Sequence, residues 1–489
     1  MLPVNGYALS FPPRRRPLRP GPARQVSFAD VELAAQVLPL DPLLAAITTF
    51  LDTHAECVGL VHQDLVRGLT QAGTGRPGLS AGQTLRAFVL QRLKNWDLRE
   101  LRARIADGLT LRRFTTFDGQ TVPSHTAFHR AFTRLTPETV RALNDAVVRA
   151  ALTLGLDDGT RLRVDTTVVE TDIHHPTDST LLWDGVRVLT RLVGQLGARL
   201  PAATQGFVNH TRRARRRMQE ISRLTPAQRP RQQRRKYRDL LAVTRAVLTQ
   251  ARAAASAART APLADPRAAA TVPGLCAEIE RIGDLTERVI DQTQRRVLQG
   301  EAVPAAEKVL SLFEPHTDLI VRGKARTPAE FGHKIFLAES GAGLITDYQI
   351  LTGNPADEDH VGPSLARHTA VFDTVPTLYA ADRGFHTPAN ATAVTAAGVG
   401  TECLPQRGGH KTPARATYEQ SRAFKQGQRF RAGIEGRISV LFRGRGMKRC
   451  RLTGRARFEV FVGLAVLANN LLRIADLLQP PARRRRRAA

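Results

Sequence analysis

The chain has 489 residues and carries 72 Lys and Arg against 44 Asp and Glu, a formal net charge of +28. That length exceeds one ordinary core, so two or three domains are expected, and an apolar share of 42% excludes a disordered chain. The positive excess points to a polyanion, nucleic acid before a membrane surface. The scattered Cys57, Cys276, Cys403 and Cys450 form no C-x-x-C pair, which argues against a zinc finger and suits a reducing cytosol.

The opening MLPVNGYALSFPPRRRP lacks the charged-then-apolar order of a secretory signal. Residues 1–30 read as a flexible basic arm, and residues 479–489 as a basic tail. Residues 31–155 read as a helical N-terminal DNA-binding domain. Ser80 caps a helix carrying Leu85, Val89 and Leu93, DLRELRARIADGL forms a second that stops at Gly108, and Ser124 caps a third. The third helix presents His129 and Arg130 beside the core residues Phe128 and Phe132. Short helices joined in this way suit a helix-turn-helix unit reading DNA and equally an ordinary small helical bundle.

RLRVDTTVVET (161–171) alternates as a strand, with Asp165 set among apolar neighbours. A carboxylate there either ends a strand against a turn or has distant partners. A helical insertion follows at about 185–305. Its run TRRARRRMQE…RPRQQRRKYRDL is dense in cations and poor in acids; it reads either as a solvated helical face or, with so little compensating charge, as phosphate contacts through Arg215, Arg216, Arg235 and Lys236. Residues 251–274, rich in alanine, read as a helix end plus linker. Trp183 reads as packing the exit loop of the strand.

After residue 310 the period changes. FGHKIFLAE and GLITDYQILTG form a hairpin about Gly341-Ala342-Gly343. Residues 361–372 form a helix, PTLYAAD a buried strand, HTPANATAVTAAG a helix and VGTECLP another strand. FKQGQRFRAGIEGRISVLF follows as a helix with Phe430, Ile434, Ile438, Leu441 and Phe442 on one stripe. VFVGLAVLANNLLRIADLL is interrupted by Asn469, Asn470 and Arg473 and reads as a buried helix, not a membrane span. The fold class is therefore α/β: a ribonuclease H-like core (156–478) with a long helical insertion, preceded by an all-α N-terminal domain.

Asp382 closes the strand PTLYAAD, where ligands bind in open sheets. Glu435 lies one position off the stripe of its helix. Adjacent strands and a covering helix would bring Asp165, Asp382 and Glu435 together. Three mutually repelling carboxylates are usually compensated by a divalent cation, Mg²⁺ or Mn²⁺. A pair of such ions about 4 Å apart can activate a water or a 3′-hydroxyl at a phosphodiester. Asp382 could equally be a turn residue, and Glu435 an i,i+4 partner of Arg431. Asp172, Asp178 and Asp184 are rivals for the first position, and Asp357-Glu358-Asp359-His360 reads as a loop or helix start.

VDTTVVETDIHHPTDSTLLWDGVR, YAADRGF and the stretch from Phe430 to Leu478 resemble the DDE transposases of bacterial insertion sequences, in the IS4/IS5-type group with its unclassified members; residues 80–145 resemble their N-terminal domain. The resemblance implies that Asp165, Asp382 and Glu435 are catalytic and metal-holding. It makes Arg431 the Arg of an R-x-x-x-E signature near DNA phosphate, with Arg383 and Arg443 as further DNA contacts. The accessory Tyr and Lys of some relatives are absent: Gln428 and Phe442 stand in their places, and because related enzymes stack an aromatic side chain on a flipped base, the resemblance gives Trp183 that role as an alternative to packing. It further implies double-stranded DNA as partner, a homodimer at synapsis, a bacterial cytoplasmic setting and no membrane. The alternatives are a host nuclease or junction resolvase on the same fold, and a non-catalytic DNA-binding relic.

Overall fold

The computed structural model describes residues 39–71, 78–263, 265–321 and 329–480. The N-terminal arm and nearly all of the basic tail lie outside the described residues. Two compact units emerge: Asp172–Phe331 is the smaller, and the chain before and after it folds together as the larger.

The larger unit begins with α1 (Pro42–Thr53), α2 (Ala55–Val66), α3 (Ala81–Lys94), α4 (Leu98–Asp107), α5 (Leu109–Phe114), α6 (His125–Phe132) and α7 (Pro137–Thr153), followed by strand β1 (Arg161–Thr171). Ser80 caps α3 as anticipated, in a reciprocal capping box with Gln83. Asp97 caps α4 through the amides of Arg99 and Glu100. Ser124 precedes α6 but bonds the Thr126 hydroxyl instead of a helix amide.

The smaller unit packs α8 (Asp178–Gly197), α9 (Thr211–Ser222), α10 (Arg229–Thr260) and α11 (Pro266–Thr293), and ends in β2 (Asp318–Val321). Leu189, Leu192, Leu240, Val247, Ile279 and Ile282 centre its core. The alanine-rich stretch is not a linker: α10 runs through to Thr260 and α11 starts at Pro266. Ala251, Ala254, Ala255, Ala258 and Ala268 are buried, so small side chains serve close helix packing without producing a conspicuous apolar stripe.

The larger unit resumes with β3 (Ala329–Ser340), β4 (Ile345–Ile350), α12 (Val361–Phe372), β5 (Leu378–Ala380), α13 (Pro388–Ala396), β6 (Thr401–Cys403), α14 (Pro413–Gln420), α15 (Arg422–Gly444), β7 (Arg449–Cys450) and α16 (Arg455–Leu477). The expected order of hairpin, helix, strand, helix, strand and helix is present. β1 is central. It pairs antiparallel with β3, from Leu162↔Ser340 to Glu170↔Gly332, and parallel with β5. β4 lies antiparallel on β3, and β6 parallel on β5.

Both faces of this mixed sheet are covered. Leu162 and Val164 pack with Phe336, Tyr379, Leu365 and Val394 on the side of α12 and α13. Val169, Ile335 and Leu337 pack with Ile434, Leu441, Phe458 and Val462 of α15 and α16 on the other. The N-terminal helices share their core with Val460, Leu464, Leu467 and Leu471 of α16. α16 is therefore buried from two directions, which accounts for its apolar composition. Its buried Asn470 spends both ends of its amide on the backbone of Ile345.

Candidate active site

The docking of α15 on the sheet begins with a buried carboxylate. Register sets Glu339 of β3 opposite Arg163 of β1, on one face. Arg163 Nε donates to Glu339 Oε2 at 2.8 Å, and Arg437 Nε of α15 donates to Oε1 at 2.9 Å. Arg163 Nη1 also donates to the Phe430 carbonyl at 2.6 Å, and its guanidinium lies over the Phe430 ring. The helix comes so close that a Cβ at Gly433 would stand 2.1 Å from Arg163 Nη1, and one at Gly427 would stand 2.7 Å from Cys403 Sγ. Glycine inside a helix costs about 1 kcal/mol relative to alanine; here it permits the approach.

The period of two puts Asp165 on the same face as Arg163. Asp165 is 8% exposed, and its Oδ1 accepts the Thr166 N–H at 2.7 Å. Asp382 lies two residues beyond β5, the parallel neighbour of β1. Its Oδ1 accepts the Gly384 N–H at 2.8 Å, so it is at once a turn residue and a member of the cluster. Glu435 projects from α15 with its side chain 63% exposed. One turn earlier on α15, Arg431 reaches all three acids. Its Nη1 is 2.7 Å from Glu435 Oε1, and its Nη2 is 3.5 Å from Asp165 Oδ2 and 3.9 Å from Asp382 Oδ2. The i,i+4 pair and the convergence of distant acids are thus both present.

Three carboxylates around the two terminal nitrogens of one guanidinium form a strongly acidic point in a basic protein. Their oxygens are the hard donors that Mg²⁺ and Mn²⁺ prefer. As they stand, no three His, Cys, Asp or Glu side chains among the described residues are close enough together to share an ion; the Arg431 guanidinium holds the middle. The donor chemistry fits a hard divalent ion, and Arg431 is the cation it would compete with.

A further pair carries no local signature as a site. Asp357, in the turn before α12, accepts from the Thr166 hydroxyl at 2.8 Å and from Lys334 Nζ at 2.8 Å. Its Oδ2 and Asp382 Oδ1 flank the Cα of Gly384, where an added Cβ would stand 3.1 and 3.0 Å from them. The one signal in the sequence is Lys334, a lysine in the middle of an otherwise buried strand.

The remaining candidates are dispersed. Arg383 is exposed in the turn after Asp382, and Arg443 is exposed near the end of α15. Gln428 does not face the acids; its amide donates to Cys403 of β6. His129 and Arg130 are exposed on α6. In the smaller unit Arg215, Arg216 and Arg235 are exposed, whereas Lys236 pairs with Glu220 at 2.9 Å. The basic run is better compensated than its composition suggests, because Asp239 and Glu220 also engage Arg213 and Arg217. Asp178 and Asp184 are buried there and bonded to Gln292 with Arg296, and to Arg187. Asp172 is exposed in the same unit, and Trp183 is half-buried against that unit's core.

Residues 33–134, about a fifth of the chain and including α1 to α6, match the family described as Transposase domain (DUF772). This supports a transposase family. No curated protein and no solved structure matches the chain.

Proposed function

We propose that the chain is a DDE transposase of the IS4/IS5 type. It binds terminal inverted repeats, cleaves a phosphodiester to release a 3′-hydroxyl, and directs that hydroxyl at target DNA. The observation that carries the reading is the gathering of Asp165, Asp382 and Glu435 around one guanidinium from separate parts of the chain. The transposase-domain match supports it independently, and the strand order β4-β3-β1-β5-β6 supports a ribonuclease H-like core.

Asp165, Asp382 and Glu435 would hold Mg²⁺ or Mn²⁺. Such an ion supplies Lewis acidity, easing deprotonation of an attacking water or 3′-hydroxyl and steadying charge at the phosphate. The protein's own residues set the geometry. Asp165 is fixed by a strand paired on both sides, Asp382 by the Gly384 amide, and Glu435 by a helix clasped to the sheet through Glu339. Arg431 has the planar fork that pairs with phosphate; on DNA binding its guanidinium passes from the carboxylates to the backbone. Arg383 and Arg443 extend the positive surface. The N-terminal helices, through His129 and Arg130, contact the element ends, and two copies hold two ends together.

The test uses purified protein, Mg²⁺ and duplexes carrying the element's own ends. D165N, D382N and E435Q should each abolish strand transfer while end binding persists. Near-normal joining by any of the folded variants would remove that residue from the site. Cleavage without joining by the wild type would favour a host nuclease.

A further inference from the structure

The smaller unit contains an open cleft of about 910 Å³, walled by the start of α8, the first turns of α10 and the segment after α11. Arg229 and Arg234 of α10 line it, together with Arg296 and Lys308. Two carboxylates also line it, and both are engaged. Asp178 accepts from Arg296 Nη1 at 3.0 Å, and Glu301 from Arg295 Nε at 2.9 Å. Arg229, Arg234 and Lys308 make no ion pair among the described residues.

This placement runs against ordinary helix electrostatics. The first turns of α10 read RPRQQRRK, with no acid, at the end of a helix where cations are disfavoured. Of these, Lys236 is paired by Glu220. An uncompensated group around one cavity is stabilised by an anion. The cleft is too large for a lone phosphate; of its two ring-bearing residues, Tyr237 is buried and His175 is set edge-to-face against Phe331. We propose that the cleft seats successive backbone phosphates of a DNA strand, through Arg229, Arg234 and Lys308. The inference rests on DNA as the partner and is independent of the carboxylate site.

Binding of the full chain to a duplex of arbitrary sequence, measured in EDTA over a range of salt, tests it without cleavage. Each cation withdrawn from a phosphate should flatten the plot of log affinity against log salt by about 0.9. R229Q/R234Q/K308Q should therefore flatten the slope by about 2 to 3. The control R252Q/R259Q/R281Q removes cations that the same unit already pairs with Asp284, Glu280 and Glu278, and should leave the slope nearly unchanged. Equal slopes for the two triple variants, with circular dichroism unaltered, would overturn the proposal. So would an unchanged DNA slope together with thermal protection by orthophosphate that only the first triple variant loses, an outcome that makes the cleft a small-anion site. Failure of D165N to block joining would leave this result untouched.

Discussion

Lys334 Nζ lies 2.8 Å from Asp357 Oδ1, with the lysine only 4% exposed, and the same carboxylate oxygen takes the Thr166 hydroxyl. Removing one partner of a largely buried pair strands the other charge, whereas removing both does not. K334M should therefore destabilise the protein by about 2 kcal/mol or more, and K334M/D357N by less, read from denaturant midpoints. Asp357 also touches the residue after Asp165, so D357N should slow strand transfer about tenfold through misplacement of that acid. End binding should not change. A single variant no less stable than the double, or D357N joining at the wild-type rate, would refute this positioning role.

Arg431 pairs with Asp165, Asp382 and Glu435, so under the proposed function it competes with the metal for the same oxygens. In the absence of DNA, R431A should bind Mn²⁺ about tenfold more tightly than the wild type, a gain of about 1.4 kcal/mol, measured by the loss of free-ion signal in electron paramagnetic resonance. Added duplex should raise the affinity of the wild type and hardly move that of R431A, because DNA phosphate offers the guanidinium another partner. Weaker Mn²⁺ binding by R431A would mean that the arginine organises the carboxylates instead of competing for them.

The elements bearing the acids are legible in the sequence because each obeys a local period. β1 spans the anticipated 161–171, and α15 buries Ile434 and Leu441 from the anticipated stripe. Asp382 is legible as the residue closing a short apolar run. What holds the acids together is not. Glu339, Arg163 and Arg437 meet only once β3 is registered against β1, and nothing local encodes a pairing across so long an insertion. Lys334 and Asp357 are hidden for the same reason. Gly433 reads as a weak point in a helix until Arg163 is known to pass across it. Net charge also misleads: the run from Arg212 to Arg238 looks unopposed because Glu220 and Asp239 act through space on cations several turns away in sequence.

His368 couples α12 to the entry of β1. It is buried, its Nε2 bonds the Gly159 carbonyl at 2.8 Å, and its ring stacks on Phe372. With Nε2–H as donor to that carbonyl, Nδ1 is left bare, buried and without a partner. Protonation would place an unpaired charge there, so burial holds the imidazole below its ordinary value of 6.5, only partly offset by the Gly159 bond. The unfolded chain therefore takes up this proton first as pH falls. The contribution of His368 is complete above about pH 6.5 and is lost progressively below it, through the lower native value. The denaturation midpoint should fall between pH 7 and pH 5, more steeply in the wild type than in H368Q, whose amide can still donate to Gly159. His360 and His386 are also depressed by burial, so some slope should persist in the variant. A wild-type slope no steeper than that of H368Q would mean that His368 is protonated in the folded protein and that its environment stabilises the charge.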